Sequence, residues 1–455
     1  MIAGLSNKIY SFSASLLLLY FLISCNTSRK ISQTATLLLL DDTAISKGHA
    51  GISIYEPATG KYWYEHDADK YFVPGSNVKL FTLYAGMKYL GDSLVGARVE
   101  ETPGRINIYG TGDPTFLHPD FSIQPVFDYL ASNRLNKVYL VNNQADDYSR
   151  LELFKVYGKG WSWDDYQESY MPERSFFPLY GNVARFYVDR EHQVHVIPKY
   201  FRYDWWNKTD SNNFIVKREV SGNVFYVIGC RPQLKPVSVP FRTIESYYTN
   251  SNFDVNIIAD ILSDTLGCPV SQLYRGSQNK TLKLIHSQPT DSVLKPMMHN
   301  SDNFFAEQLL MMVSNEQYGY MGDDVIDSLL AKDLTDVPQK PKWVDGSGLS
   351  RYNLFTPRDF VFILNKLQQE FGLERLKKIL PTGNEGTLKN YFTGIPGYVF
   401  AKTGTLGNIS SLSGYIITAK GKLLIFSLLA NGYQTGATPV RRAFEHFLLN
   451  LHQEY

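Results

Sequence analysis

The sequence contains a serine and a lysine at a spacing that suits nucleophilic catalysis. Ser76 and Lys79 stand at the start of an apolar repeat that runs to Gly91 and predicts a buried helix. Residues three or four positions apart lie on one helix face, so the hydroxyl and the amine would be neighbours. Burial lowers the pKa of an ammonium group, which can then accept the proton of a serine that attacks a carbonyl. The helix N-terminus favours the negative charge that develops on that carbonyl oxygen.

The same Ser-x-x-Lys spacing occurs twice more, so it does not decide the matter alone. Ser277 and Lys280 lie in a polar run without helical periodicity. Ser292 and Lys295 are followed at once by Pro296, which disfavours a helix through Lys295. The first pair is therefore the favoured nucleophile and base.

A second motif, Ser301-Asp302-Asn303, stands directly before a helical run that is clearest from Phe304 to Val313. Taken alone, it is typical of a helix N-cap, because all three side chains can accept hydrogen bonds from the first backbone amides of a helix. Its meaning depends on what else the chain contains.

A third motif, Lys402-Thr403-Gly404-Thr405, lies in the first of three strand-like segments near the C-terminus. Taken alone, Thr-Gly is typical of a bend, and the lysine of a solvated charge on a sheet edge. In this order, however, Ser-x-x-Lys, Ser-Asp-Asn and Lys-Thr-Gly form the triplet of class A β-lactamases and penicillin-binding proteins. The three motifs together predict a serine acyl-transfer enzyme.

Periodicity divides the chain into segments of different character. Residues 35–96 begin with a helical segment and continue with a hairpin and the Ser76 helix. Residues 97–285 have short alternating strands and many turn residues, and residues 286–455 contain helices, a three-stranded antiparallel meander and a C-terminal amphipathic helix. We expect an α+β protein in which 35–96 and 286–455 form one catalytic domain and 97–285 form one or two inserted β-rich domains.

The first 24 residues have the pattern of a lipoprotein-type signal peptide. Lys8 precedes an apolar run that is too short to span a bilayer comfortably and is followed by Cys25. We expect Cys25 to be lipidated as the first mature residue and residues 25–34 to be a tether. The protein would then be periplasmic and anchored by its lipid to a membrane, the outer membrane being favoured. A plain secretory signal with an incidental cysteine is the alternative.

Composition excludes some functions and leaves one question open. The formal net charge of +1 gives no reason to expect a nucleic acid partner. His-Glu-x-x-His is absent, and His192 and His195 fit strand alternation better than metal ligation, so we expect no metal and no cofactor. Once Cys25 is lipidated, Cys230 and Cys268 remain, and both a disulfide and two free thiols fit the sequence.

The spacing of the motifs resembles that of the S13 peptidases, low-molecular-mass penicillin-binding proteins that act as D-alanyl-D-alanine carboxypeptidases and endopeptidases. Ser301 follows Ser76 by 225 residues and Lys402 follows Ser301 by 101, so a large insertion separates the first two motifs. The resemblance implies the serine β-lactamase and transpeptidase-like fold, an antiparallel sheet flanked by helices. Segments similar to that family occur over nearly the whole mature chain, at 110–115, 161–166, 300–307, 345–350, 386–388, 401–406 and 413–415.

The resemblance also implies catalytic roles. Ser76 would attack the carbonyl of the penultimate D-alanine of a peptidoglycan stem peptide, and Lys79 would take its proton. Ser301 would relay a proton to the leaving amine with Lys402 near it. Asn303 would fix Lys79 and the substrate amide.

Substrate binding is implied for the third motif. Thr403 and the charge of Lys402 would hold the terminal carboxylate, with Gly404 and Thr405 completing the binding strand. The backbone N–H groups of Ser76 and Thr405 would form the oxyanion hole. β-Lactam antibiotics would inhibit the enzyme by acylating the same serine.

Two rival functions stay open at this point, a serine β-lactamase and a catalytically dead cell-wall-binding lipoprotein. A β-lactamase needs a fast deacylating base, and no Glu-x-x-Leu-Asn segment follows Ser301 at a suitable distance. Intact motifs argue against the dead protein. Asp146 or Asp147 is a further candidate for contacts with the substrate side chain, and we expect Ser347 to belong to a structural loop.

Overall fold

The computed structural model describes residues 28–141, 155–207, 212–246, 254–273 and 282–455. The chain divides into two compact units, each assembled from segments that are separate in sequence. Among the described residues, unit 1 comprises 28–77, Val337–Lys342 and Asn353–Tyr455, and unit 2 comprises those between Val78 and Asp336 together with Trp343–Tyr352.

Strands occur in both units and are numbered here in chain order. They are β1 His49–Glu56, β2 Lys61–His66, β3 Ser93–Thr102, β4 Arg105–Gly110, β5 Lys137–Val141, β6 Val183–Val188, β7 Val194–Ile197, β8 Tyr203–Asn207, β9 Ile215–Arg218, β10 Phe225–Ile228, β11 Gln233–Pro240, β12 Ile244–Ser246, β13 Asp254–Asn256, β14 Val270–Leu273, β15 Lys283–Pro289, β16 Val399–Leu406, β17 Ile409–Ile417 and β18 Leu423–Asn431.

The α-helices are numbered in the same way. The first, α1, covers 28–35 and continues into a π-helical turn, Thr36–Leu40. The others are α2 Lys79–Tyr89, α3 Pro125–Ser132, α4 Ile258–Leu266, α5 Thr290–His299, α6 Asn303–Tyr318, α7 Val325–Lys332, α8 Pro357–Phe371, α9 Leu373–Ile379 and α10 Ala437–Glu454.

Unit 1 is built on a five-stranded antiparallel sheet with the order β16-β17-β18-β1-β2. The strand β18 is apolar almost throughout, which is the composition of a strand covered on both faces. Leu424 and Leu428 share a core with Phe444 and Leu448 of α10, whereas α8 contacts the same strand and packs on its other face. An antiparallel sheet flanked by helices, and with it the predicted α+β fold class, is thereby confirmed.

The N-terminal segment differs from the expected tether over residues 25–34. Residues 28–35 are helical, and Ile31 and Ala35 are buried in the same core as α10. These apolar side chains are removed from water only if the segment folds onto the sheet, so at least this part of the expected tether belongs to the folded unit.

Unit 2 contains a mixed five-stranded sheet with the order β14-β5-β4-β3-β15 and the smaller sheets β8-β10-β9, β11-β6-β7 and β12-β13. Helix α2 contacts α5 and α6, and every residue from Lys79 to Met87 is buried. The division into units groups these three helices with the inserted strands. The domain boundaries at residues 97 and 285 stay a prediction.

The sequence-based expectation for Pro296 is wrong. Helix α5 runs through it, and Ser292 and Lys295 are both helical and exposed. Proline removes one backbone donor from a helix, but Val293 and Met297 lie on a fully buried face of α5. Burial of that apolar face compensates for the missing hydrogen bond, as tertiary packing commonly does for helices.

Candidate active site

The chain that leads to Ser76 is fastened to the sheet of unit 1. The Asn431 side chain accepts a hydrogen bond from the Val73 N–H at 2.8 Å and donates one to the Val73 carbonyl at 3.0 Å. A 3₁₀ turn, Gly75–Val78, follows and presents Ser76. Gly75 has a φ of +52°, a conformation that glycine adopts without the steric cost other residues carry.

The Lys-Thr-Gly strand lies directly against this turn. A Cβ atom on Gly404 would stand 2.5 Å from the Pro74 carbonyl oxygen and 3.0 Å from the Ser76 nitrogen. A Cβ atom on Gly75 would stand 3.2 Å from the Thr405 nitrogen. The two glycines therefore allow β16 and the Ser76 turn to meet backbone against backbone, as the predicted site requires.

Asn77 also holds the Ser76 turn against β16. Its buried side-chain amide donates to the Lys402 carbonyl at 3.1 Å and to the Ser411 hydroxyl at 2.6 Å. The Ser411 hydroxyl in turn donates to the Pro74 carbonyl at 2.7 Å. The sequence-based prediction missed Asn77, although a polar residue directly after the nucleophile in an otherwise apolar run was a visible signal.

The remaining residues of the third motif differ in exposure. Lys402 is fully buried, and its amine donates to the Thr403 carbonyl at 2.7 Å. Thr405 is exposed at the end of β16, where its hydroxyl accepts a hydrogen bond from Arg441 of α10. The strand β16 lies at the edge of its sheet, where its Ala401 N–H donates to the Pro381 carbonyl at 3.1 Å, and an edge strand is the kind of element that can bind an extended peptide.

In unit 2, Lys79 begins helix α2 and is fully buried. Its amine donates to the Asn303 Oδ1 atom at 2.6 Å and to the Ser347 carbonyl at 2.7 Å. Burial lowers the pKa of Lys79 to about 8, while the nearby carboxylates of Asp345 and Glu307 act in the opposite direction. A substantial fraction of this amine is therefore neutral near pH 8, which a proton acceptor requires.

The Ser-Asp-Asn motif forms the junction between α5 and α6. Ser301 has a φ of +57°, which turns the chain between the two helices. Asp302 caps α6 by accepting the Phe305 N–H at 2.8 Å, so the N-cap expectation is confirmed for this residue. Asn303 also donates to the Tyr170 carbonyl at 2.9 Å, which orients its Oδ1 atom toward Lys79.

Ser347 belongs to a buried loop that supports Lys79. Its N–H donates to the Glu307 carboxylate at 2.7 Å, and Asp345 accepts the Gly348 N–H at 2.9 Å. The backbone of Ser347 supplies the contact to Lys79, in agreement with the expected structural role. Glu307 and Asp345 were missed as neighbours of the lysine, although a glutamate inside the apolar run of α6 was a signal.

The remaining predicted residues lie partly outside the described ranges. Cys25, Asp146, Asp147 and the Ser277–Lys280 pair lie outside the described residues. No disulfide joins Cys230 and Cys268, which are both half-buried. His192 lies in a turn and His195 in β7, and no group of three or more potential ligands in the described ranges is arranged to hold a metal ion.

No helix among the described residues combines the length and apolar character needed to cross a membrane.

Comparison with known proteins gives matches along nearly the full length. The chain is 25% identical over 448 residues to a D-alanyl-D-alanine carboxypeptidase of Actinomadura sp. (strain R39), covering 88% of this chain and 81% of that protein. It is 23% identical to penicillin-sensitive carboxypeptidase A of Dictyostelium discoideum, covering 83% and 82%. The solved structure of penicillin-binding protein 4 from Haemophilus influenzae has the same fold, with a TM-score of 0.69, 22% identity and coverage of 93% of this chain and 99% of that one.

The match to a protein-family model decides the family, because it covers all three motifs. The model of the D-Ala-D-Ala carboxypeptidase 3 (S13) family matches residues 33–449. The predicted resemblance is thus confirmed, and the chain belongs to the S13 family of serine-type D-Ala-D-Ala carboxypeptidases.

Proposed function

We propose that the chain hydrolyses the D-Ala-D-Ala bond of peptidoglycan stem peptides through an ester formed on Ser76. The observation that carries this assignment is the environment of Lys79. A fully buried lysine with a pKa of about 8, three residues after a serine in one continuous helical segment, is suited to accept that serine's proton.

The proposed reaction has two stages. In the first, the Ser76 hydroxyl gives its proton to the neutral Lys79 amine, and its oxygen bonds to the carbonyl carbon of the penultimate D-alanine. The C–N bond then breaks, and the terminal D-alanine leaves as an amine after receiving a proton through Ser301. In the second stage, water attacks the ester, and its proton passes back through the same groups as Ser76 is restored.

Recognition of the substrate is assigned to the third motif. The edge of β16 would pair with the extended stem peptide, while Thr403 and Lys402 bind the terminal carboxylate. The approach of Gly75 to Thr405 and of Gly404 to Ser76 supports an oxyanion hole made by the Ser76 and Thr405 amides. Loss of one such donor typically costs about 3 kcal/mol of transition-state stabilisation.

The decisive measurement mixes the purified protein with a fluorescent penicillin and follows the label by intact mass. A long-lived adduct on Ser76 is expected for the peptidase, and rapid turnover of the label would favour the β-lactamase instead. Digestion of purified muropeptides then separates the substrates: loss of one D-alanine indicates carboxypeptidase activity, and cleaved cross-links indicate endopeptidase activity. Absence of both an adduct and a digestion product would leave the dead cell-wall-binding protein.

Peptidoglycan is a component of the cell envelope, so the enzyme works there. We further propose that residues 1–24 are removed and that the lipidated Cys25 anchors the periplasmic protein to a membrane, the outer membrane being favoured. The apolar run and its cysteine support this proposal. A Cys25→Ala variant is expected to leave the membrane fraction while its penicillin acylation stays unchanged; retention in the membrane would contradict the anchor.

A further inference from the structure

Glu307 is a buried carboxylate of α6 that the proposed reaction does not use. Its Oε1 atom accepts the Ser347 N–H at 2.7 Å, and its Oε2 atom lies 3.4 Å from the Arg174 guanidinium. The side chains of both Glu307 and Arg174 are about 1% exposed, so no solvent screens the pair. A buried carboxylate is costly unless it is paired and hydrogen-bonded, and Arg174 and the Ser347 N–H meet both requirements.

Glu307 links the two groups that accept hydrogen bonds from Lys79. The Lys79 amine donates to Asn303 on α6 and to the carbonyl of Ser347 in the loop. Glu307 lies four residues after Asn303, one turn along the same helix face, and holds the N–H of that same Ser347. The carboxylate therefore fixes the distance between the two acceptors that position the amine.

We infer that Glu307 is a positioning residue for the reaction, which holds the Ser347 loop against α6 and so orients the Lys79 amine. This inference rests on the proposed role of Lys79 as proton acceptor. Loop and helix lie in direct contact, since a Cβ atom on Gly346 would stand 2.7 Å from the Ala306 carbonyl oxygen. The hydrogen bond between the Glu307 carboxylate and the Ser347 N–H fixes the position of the loop along α6 next to Lys79.

The charge of Glu307 has a second consequence. Burial and the nearby Asp345 raise the pKa of Glu307, while Arg174 and the hydrogen bond with Ser347 lower it by stabilising the ionised carboxylate. The ionised carboxylate raises the pKa of Lys79, because it stabilises the ammonium form. The charged and titratable groups around this pair are Arg174 and Asp323, which pair with each other, together with Asp302 and Asp345.

Two substitutions separate geometry from charge. Glu307→Gln keeps an oxygen that can accept the Ser347 N–H but removes the negative charge that stabilises the Lys79 ammonium. The acid limb, which is the pH range where the acylation rate rises as Lys79 loses its proton, should therefore move to lower pH by about one unit. Glu307→Asp keeps the charge but withdraws the carboxylate by one methylene, so the limb should stay in place while the plateau rate falls by about tenfold or more.

Glu173 provides a matched control in the same unit. It is fully buried, accepts the Thr243 N–H at 2.7 Å and the Thr243 hydroxyl at 2.8 Å, and pairs with Arg242 at 3.2 Å, so like Glu307 it joins a backbone N–H to an arginine. Glu173→Gln therefore removes an equivalent buried carboxylate away from the Lys79 contacts. Its thermal stability should fall as it does for Glu307→Gln, with no movement of the acid limb.

The experiment measures the second-order rate constant for acylation by fluorescent penicillin from pH 5 to 9, together with the melting temperature of each variant. Matching pH limbs and plateaus in the wild type and both Glu307 variants would overturn the inference. So would a limb that moves equally in Glu173→Gln. If the wild type itself is not acylated, or Ser76→Ala is acylated equally, the proposed function fails instead. If Glu307→Gln does not fold, Glu307→Asp still decides the positioning role through its plateau.

Discussion

Two Ser-x-x-Lys pairs lie on helical segments in the described part of this protein, and their surroundings differ completely. Lys79 is fully buried in α2, whereas Ser292 and Lys295 are both exposed on α5. Helix α2 is buried on every side, while α5 is amphipathic and turns this pair toward solvent. The spacing is the same, but only burial can lower the pKa of the lysine enough to make it a base.

The Ser-x-x-Lys spacing alone therefore does not make the lysine a base, and the burial that the fold provides is also required. Around Lys79, Asn303 and Ser347 provide acceptors, and carboxylates keep its pKa from falling further. Lys295, by contrast, is exposed on the solvent side of α5.

The largest effect is expected for Ser76→Ala. Loss of the nucleophile should abolish penicillin labelling and reduce D-alanine release by roughly 10⁴-fold or more, because no covalent intermediate can form. The measurement is labelling by fluorescent penicillin with mass analysis of the protein. Ser292→Ala is the matched control and should label like the wild type; an unlabelled Ser292→Ala together with a labelled Ser76→Ala would reverse the assignment.

Lys79→Met should have the next largest effect. Removal of the proton acceptor is expected to slow acylation by about 10² to 10⁴-fold, the usual contribution of general base catalysis. The variant should also melt at a lower temperature, since the acceptors on the half-buried Asn303 and the buried Ser347 lose a donor. Lys295→Met is the control, and it should change neither the acylation rate nor the melting temperature appreciably. Equal rates in the two variants would contradict a special role for the buried lysine.

Gly404→Ala tests the close approach of β16 to the Ser76 turn. The added methyl group would overlap the Ser411 hydroxyl and stand 2.5 Å from the Pro74 carbonyl oxygen, so β16 and the Ser76 turn must move apart. We expect acylation to slow by about 10²-fold, since displacements near 1 Å have effects of that size. Gly394→Ala, at a position with nothing within 4 Å, should keep the wild-type rate. A wild-type rate in Gly404→Ala would show that the close approach is not needed.

The smallest effect is a pH dependence with a defined sign. Lys79 must be neutral to accept a proton, and its pKa of about 8 lies below the ordinary 10.5 because of burial. The acylation rate should therefore rise about tenfold per pH unit below pH 8 and level off above it. A profile of the rate constant from pH 6 to 10 checks this. A rate that is still rising near pH 10, toward the ordinary lysine pKa of 10.5, would contradict the effect of burial on Lys79.

Much of the fold could be predicted from local patterns. The hairpin β1–β2, the meander β16–β18 and helix α10 were predicted from strand-like runs, turn residues and helical periodicity, because these signals are local in the sequence. The course of α5 through Pro296 could not, because the buried side chains that offset the lost hydrogen bond come from packing between helices. Residues 28–35 were missed for the same reason, since their few apolar residues gain stability only on the core of unit 1.

The sequence by itself determined the order and identity of the three motifs, and with them the family, because catalytic residue types and their spacing are written locally in the chain. Only the tertiary structure decided that Lys79 is buried while Lys295 is exposed, and that Gly404 lies against Ser76. It also decided that Glu307 and Ser347 enclose Lys79. The physical reason is that a pKa and a backbone contact depend on groups brought together from distant parts of the chain, and desolvation exists only once those groups have packed.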